Sequence, residues 1–264
     1  MQTPEATLKS LFHYPVKGLS PEPLPRVQLT PGDYFPGDRM FAIENGPSGF
    51  DPAAPSHQSK IKFLMLMRNE RLATLRTRYD DASGALVIVR DGQEAVRGDV
   101  ATAEGRAEIE AFFREFMPRE LRGDPKLVTA PSGFRFTDSR RGYVSIINLA
   151  SVAALETVIG APVDPLRFRA NLYVGSWPAW GEFDLIGREI AIGTVRLKVT
   201  KRIERCAATD VNPVTGMRDL SIPRTLMQAY GHTDCGIYAE VTAGGEIAVG
   251  SRVRTAEAQP ALPF

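Results

Sequence analysis

The sequence predicts a β-rich α+β fold built around a barrel, and three observations carry that expectation. Apolar runs are short and are punctuated by 20 prolines and 23 glycines, the pattern of many strands joined by tight turns. Only three segments have helical spacing. Strands and helices do not alternate as a parallel, doubly covered sheet would require.

Taken in order, the strand-like runs are residues 7–14, 39–43, 61–67, 85–90, 172–175, 189–192, 195–201, 237–242 and 247–253. Gly244-Gly245 between the last two predicts a hairpin turn. A first helix is expected between Thr102 and Met117. Ile109, Phe112, Phe113 and Phe116 fall on one face of it, and Pro118 stops it. A second starts after Asn148 as N-cap and ends at Gly160. A third starts after Ser221, carries Pro223 in its first turn and ends at Gly231. The polar stretch 118–131 predicts a junction between two domains, 1–120 and 121–264.

Charge and composition exclude several classes. Lys and Arg number 32 against 31 Asp and Glu, a net charge of +1. Such a chain exerts no long-range pull on nucleic acid or on an anionic membrane, so any anion must be held by a local cluster. No segment approaches the roughly 20 apolar residues of a membrane helix. Residues 1–5 carry no basic run and no apolar stretch follows, so no signal peptide is expected. The two cysteines, Cys206 and Cys235, do not form a disulfide framework, and a cytoplasmic location is expected. There is no phosphate-binding Gly-x-x-x-x-Gly-Lys loop, no Gly-x-Gly-x-x-Gly, no Gly-x-Ser-x-Gly elbow and no Cys-x-x-Cys.

What remains is a set of polar residues at strand ends. Tyr14-Pro15-Val16-Lys17-Gly18 ends a strand with a lysine after a fixed turn. Pro36-Gly37-Asp38-Arg39 puts an arginine before a strand, and Arg167-Phe168-Arg169-Ala170-Asn171 brings two more and an asparagine. Cations so placed suit a phosphate, although strand-end charges are also ordinarily solvated. Cys206 lies beside Arg205 where a strand meets a turn-rich loop. That position suits a soft-metal ligand or a nucleophile; burial is the bland alternative. Arg167 and Arg205 themselves read as structural or rim charges. His232, just after a helix, reads as a partner of the helix end, and Trp177 and Trp180 read as a packed wall. The polar stretch 132–141 reads as a loop over a pocket.

In this order the residues resemble the MOSC family, named for the C-terminal domain of molybdenum-cofactor sulfurase. Within it, the chain is similar to the mitochondrial amidoxime-reducing component and its bacterial relatives. The match runs from Tyr14-Pro15-Val16-Lys17-Gly18 and Gly37-Asp38-Arg39 to Phe168-Arg169-Ala170-Asn171 and Leu185-Ile186-Gly187. It continues through Arg205-Cys206, Thr209-x-Val211-Asn212-Pro213-x-Thr215-Gly216, Gly236-Ile237-Tyr238 and Ile247-x-Val249-Gly250. The resemblance implies a MOSC-type β-barrel (121–264) packed with an N-terminal MOSC-associated β domain (1–120) and a few helices. It implies a molybdenum cofactor, with Cys206 as the protein's thiolate ligand to the metal. The residues gripping its phosphate and pterin fall on Lys17, Arg39, Arg169 and Asn171. Thr137-Asp138-Ser139 corresponds to a Ser-Asp-Thr segment, which brings Ser139 to the cofactor and Asp138 near the metal for proton handling.

Some positions depart from the family. Gly18 replaces a serine, so only its backbone N–H would help. Ser56-His57-Gln58-Ser59-Lys60 matches a Thr-x-Arg-Gln segment loosely, and Cys235 replaces a bulky apolar residue. No segment like the C-terminal ferredoxin domain of some bacterial relatives is expected in the 264 residues. The activity implied is reduction of N-hydroxylated or N-oxide small molecules. Electrons would come from an external flavoprotein, ferredoxin or cytochrome-type donor, and neither nucleic acid nor membrane is an expected partner. Two alternatives stand beside it: a cofactor or persulfide carrier using Cys206 without turnover, and a barrel that binds protein or RNA. The lack of basic–aromatic interleaving argues against RNA.

Overall fold

The computed structural model describes residues 6–255. Residues 1–5, on which the expectation of no signal peptide partly rests, lie outside the described residues. In chain order the first strands are β1 (Ala6–His13), β2 (Glu22–Leu24), β3 (Arg26–Leu29), β4 (Phe41–Asn45) and β5 (Arg76–Asp80). Then come β6 (Ala85–Arg90), β7 (Gln93–Asp99), β8 (Pro125–Thr129), β9 (Val144–Asn148) and β10 (Leu172–Gly175). The last are β11 (Glu189–Ile192), β12 (Val195–Glu204), β13 (Asp234–Ala243), β14 (Gly245–Ala248) and β15 (Arg252–Thr255). The helices are α1 (Ala103–Phe116), α2 (Leu149–Ile159) and α3 (Ile222–Tyr230).

Seven strands close a barrel in the order β10-β9-β13-β12-β11-β15-β1, and β1 pairs back onto β10. Alternate side chains point inward, as the period of a strand dictates. Leu8, Ile146, Leu172, Ile190, Leu197 and Ile237 fill the interior. A second core forms where the β5-β6-β7 meander, the β4-β8 pair and α1 meet around Leu64, Leu72, Ile88, Ile109 and Phe113. The expected junction at 120 does not separate these bodies cleanly in space. β1 belongs to the barrel, β3 pairs with β14, and β8, beyond the junction, pairs with β4.

The helix ends follow their capping chemistry. Thr102 Oγ1 accepts from Gly105 N at 3.0 Å, and Asn148 Oδ1 accepts from Ala150 N at 3.1 Å. Gly160 and Gly231 close α2 and α3 at φ 73° and 75°, the left-handed region a side chain disfavours. Among the described residues no helix is long and apolar enough to cross a membrane.

Four sequence expectations are corrected. Residues 61–67 form no strand: a 3-10 turn (Lys60–Lys62) leads into a buried apolar loop holding Phe63, Leu64, Met65 and Leu66. A continuous apolar run has no period by which to tell strand from buried loop. Residues 247–253 split into β14 and β15 around a turn at 249–251. Gly244 makes no hairpin, because β14 pairs with β3. Its glycine serves close approach instead, since a Cβ there would lie 2.7 Å from Leu29 O. Finally, one βαβ unit does occur: β9 and β10 are parallel, with α2 between them.

Candidate functional site

Between barrel and second core lies a cleft of about 180 Å³. Its wall includes every residue that the sequence singled out for a site: Lys17, Gly18, Arg39, Asp138, Ser139, Arg169, Asn171 and Cys206. They arrive from five separate stretches of chain. The turn after β1 delivers Lys17, whose N–H donates to Phe41 O at 2.8 Å. Gly18 follows at φ 82°, and a Cβ there would lie 2.9 Å from Leu64 O. The backbone itself therefore demands glycine, which explains the departure from serine at this position.

Arg39 and Arg169 both take left-handed backbone conformations, at φ 47° and 51°. Non-glycine residues seldom do so, and such strain gathers at functional sites. Both guanidinium groups stack on Tyr14, each 4.4 Å from the ring centroid. Arg39 is paired with Asp38 at 2.5 Å and donates through Nη2 to Arg169 O at 3.2 Å. Asp38 also accepts from Tyr14 N at 2.9 Å, so it locks the turn that carries Lys17. Arg169 donates through Nη1 to Leu19 O at 2.7 Å. Burial and the neighbouring Arg39 push its pKa down to about 10. It is still a cation at neutral pH.

Lys17 Nζ donates to Phe136 O at 2.9 Å and to Asp138 Oδ1 at 2.7 Å. Burial lowers the lysine pKa, and the Asp138 carboxylate opposes the shift. Burial would raise the Asp138 pKa, but Lys17, Lys60 and Arg39 together hold it down at about 2. This carboxylate keeps its charge throughout the neutral range. It is an anchor for Lys17. Asn171 is likewise committed: Oδ1 accepts from Ser145 N and Oγ, and Nδ2 donates to Phe12 O. Its side chain stitches β9 and β10 to β1 behind the cleft.

Cys206 follows β12 and is half-buried. Its carbonyl accepts from both Thr209 N and Thr209 Oγ1 at 3.0 Å, which fixes a short 3-10 turn (Ala207–Asp210). Arg205 turns away from it, with Nε donating to Cys235 O at 2.7 Å and Nη1 to Phe168 O at 2.9 Å. Arg167 pins the same turn from behind, through Asp210 O at 3.0 Å and Asp219 at 2.6 Å. Cys235 is wholly buried, and burial pushes its thiol pKa up to about 12. His232 Nδ1 accepts from Asp234 N. Among the described residues no group of three or more His, Cys, Asp and Glu side chains comes together to hold an ion.

The cleft is cationic although the chain is nearly neutral. Lys17, Arg39, Lys60, Arg141, Arg167, Arg169 and Arg205 face Asp38, Asp138 and Glu204. Three buried guanidinium nitrogens in its wall have no hydrogen-bond partner: Arg167 Nε, Arg169 Nη2 and Arg205 Nη2. An unsatisfied buried donor costs about 1–3 kcal/mol, more when charged. Sequence reasoning gave no site role to Lys60, Arg141 or Tyr143, and used Lys60 and Tyr238 only as family matches. Tyr143 and Tyr238 stack with centroids 5.2 Å apart at the rim. Tyr143 immediately precedes β9 and Tyr238 lies in β13.

Comparison with known proteins agrees with this architecture. The family model "MOSC domain" matches residues 134–254, and "MOSC N-terminal beta barrel domain" matches residues 5–119. The chain belongs to the MOSC family. MOSC domains in general are associated with molybdenum-cofactor binding. Among solved structures, the MOSC chain is similar to the YUAD protein from Bacillus subtilis. Identity is 13%, coverage 98% of this chain and 99% of that one, and the TM-score 0.46. YiiM from Geobacillus stearothermophilus is 19% identical over 43% of this chain and 54% of its own, with a TM-score of 0.35. YiiM from Escherichia coli is 16% identical over 44% and 55%, with a TM-score of 0.34. No curated protein sequence matches the chain.

Proposed function

We propose that the cleft holds a molybdenum cofactor with Cys206 as its protein thiolate ligand. We further propose that the holoprotein reduces N-hydroxylated or N-oxide small molecules with electrons from an external donor protein. The observation that carries this reading is the convergence, in one cleft, of Cys206 with the cationic side chains of Lys17, Arg39 and Arg169. A phosphate-bearing ligand with a soft metal matches that donor set. When bound, the cofactor supplies two-electron redox chemistry; the protein's part is grip, orientation and access. Lys17, Arg39 and Arg169 supply charge to the anionic end. Gly18 contributes only its backbone N–H, and Ser139 offers a hydroxyl on the opposite loop. Asp138 holds Lys17 Nζ in place.

The deciding experiment is metal and pterin analysis of the protein made in a host that synthesises the cofactor. The expected result is close to one molybdenum per chain, with pterin fluorescence after oxidation. Stoichiometric zinc without pterin would sink the proposal. Molybdenum with pterin but no turnover of any N-hydroxylated substrate would favour the carrier function.

A second expectation concerns pH. The folded pKa of Asp138 is depressed from an ordinary carboxylate value of 3.8 to about 2. Its ion pair is therefore fully present above the unfolded value and is lost only as pH falls through the folded one. Between pH 5 and pH 8 Asp138 does not titrate. Asp138→Asn should then leave the shape of the kcat/KM profile unchanged over that range, even where the absolute rate falls. A limb near neutrality that disappears in Asp138→Asn would support the proton-handling role.

A further inference from the structure

A second cleft, of about 320 Å³, shares a wall with the first: Lys17, Lys60, Thr137 and Asp138 line both. Its other side is aromatic. Phe50 lies 4.9 Å from Phe136 and 5.3 Å from Phe134, centroid to centroid, and Phe63 lies 5.4 Å from Phe136. Phe63 and Phe136 belong to a small core, whereas Phe50 and Phe134 are only partly covered and present ring surface to the cleft. His57 packs against Phe134 in a T-shaped arrangement, with centroids 5.9 Å apart. Its Nε2 is buried and has no hydrogen-bond partner. An aromatic wall with one unpaired polar atom suits a flat ring that carries a hydrogen-bonding group.

We propose that this cleft is the subsite for the aromatic part of the substrate, with the ring against Phe50 and Phe134 and His57 Nε2 as its hydrogen-bonding contact. The polar end then points past the Lys17–Asp138 pair into the Cys206 cleft. The inference deepens the proposed function and rests on it for the reacting end; binding of the ring is testable apart from it. His57 and the two phenylalanines act as specificity residues, not catalytic ones.

The test is calorimetric titration of the purified full chain with benzamidoxime and with acetamidoxime, which share the polar end and differ in the ring. Benzamidoxime should bind at least about tenfold more tightly, a difference ring contacts of this kind supply. Phe134→Ala should remove that preference while leaving acetamidoxime affinity unchanged. Should Phe134→Ala melt early, Phe50→Ala, also only partly covered, should weaken benzamidoxime several-fold on its own, and a ring hydroxyl on the benzamidoxime should add affinity that His57→Ala removes. Cys206→Ser should keep the preference although it loses turnover. Equal affinities in the wild type would overturn the inference. So would a preference that survives both Phe134→Ala and Phe50→Ala, or one that is lost in Cys206→Ser. Turnover of amidoximes without ring preference overturns this subsite alone. Ring preference in a protein without molybdenum supports the subsite and overturns the reductase reading.

Discussion

Cys206→Ser should reduce turnover of benzamidoxime by metal-loaded protein to below about 1% of wild type, whereas Cys235→Ser should retain most of it. The argument is ligand chemistry. A thiolate is a soft, strongly donating ligand, and a serine hydroxyl is harder and far less acidic. The substitution should alter the bound metal even where cationic side chains keep the phosphate in place. Cys235 differs in every relevant respect. It is wholly buried among residues of α2, α3 and the barrel wall, and burial raises its thiol pKa to about 12. It therefore remains a neutral thiol. Serine there buries a hydroxyl at a cost of about 1–3 kcal/mol, which lowers the melting temperature without touching the cleft. Assay with a chemical reductant removes dependence on the natural donor. If Cys235→Ser is inactive and Cys206→Ser is not, the ligand assignment is wrong.

Asp219→Ala should cost about 2–4 kcal/mol of stability, roughly 5–10 °C in Tm for a chain of this size. The Arg167 side chain is 2% exposed and Asp219 is its carboxylate partner at 2.6 Å. Removing the carboxylate strands a buried guanidinium, which is worse than losing the pair altogether. Asp219 is itself 37% exposed, so water tempers the loss. Asp219 also accepts from Asn212 Nδ2 at 2.7 Å, and Arg167 holds the carbonyl of Asp210 in the turn behind Cys206. The same variant should thus speed amide exchange at Thr209 and Val211. A Tm drop below about 2 °C would show that the guanidinium is satisfied elsewhere.

Much of this was legible in the sequence. Capping residues marked α1, α2 and α3 because cap chemistry is local. The longer barrel strands announced themselves by apolar runs and turns. Lys17, Arg39, Arg169, Asn171 and Cys206 converge on one cleft, and it was the resemblance to the family's ordered motifs that singled them out. What the sequence withheld depends on distant partners. The charge state of Asp138 is set chiefly by Lys17, which the fold brings to it across 121 positions of sequence. Lys60 and Tyr143 face the cleft only because loops fold over it. The polar strands β5 and β7 carry too little alternation to be seen, and the buried loop after Lys62 carries no period at all.

The closure of the barrel also fixes an order of events during folding. β1 pairs locally with β2, yet the barrel closes only when it also meets β10 and β15, where its Ala6 stands opposite Val253. Until those strands are in place, only the short ladder to β2 is open to it. Contacts so far apart in sequence are slow to form, because the loop they close is long. The turn carrying Lys17 hangs from β1 and the Cys206 turn from β12. The cleft therefore takes shape only with closure of the barrel, and loading of any ligand has to follow that closure.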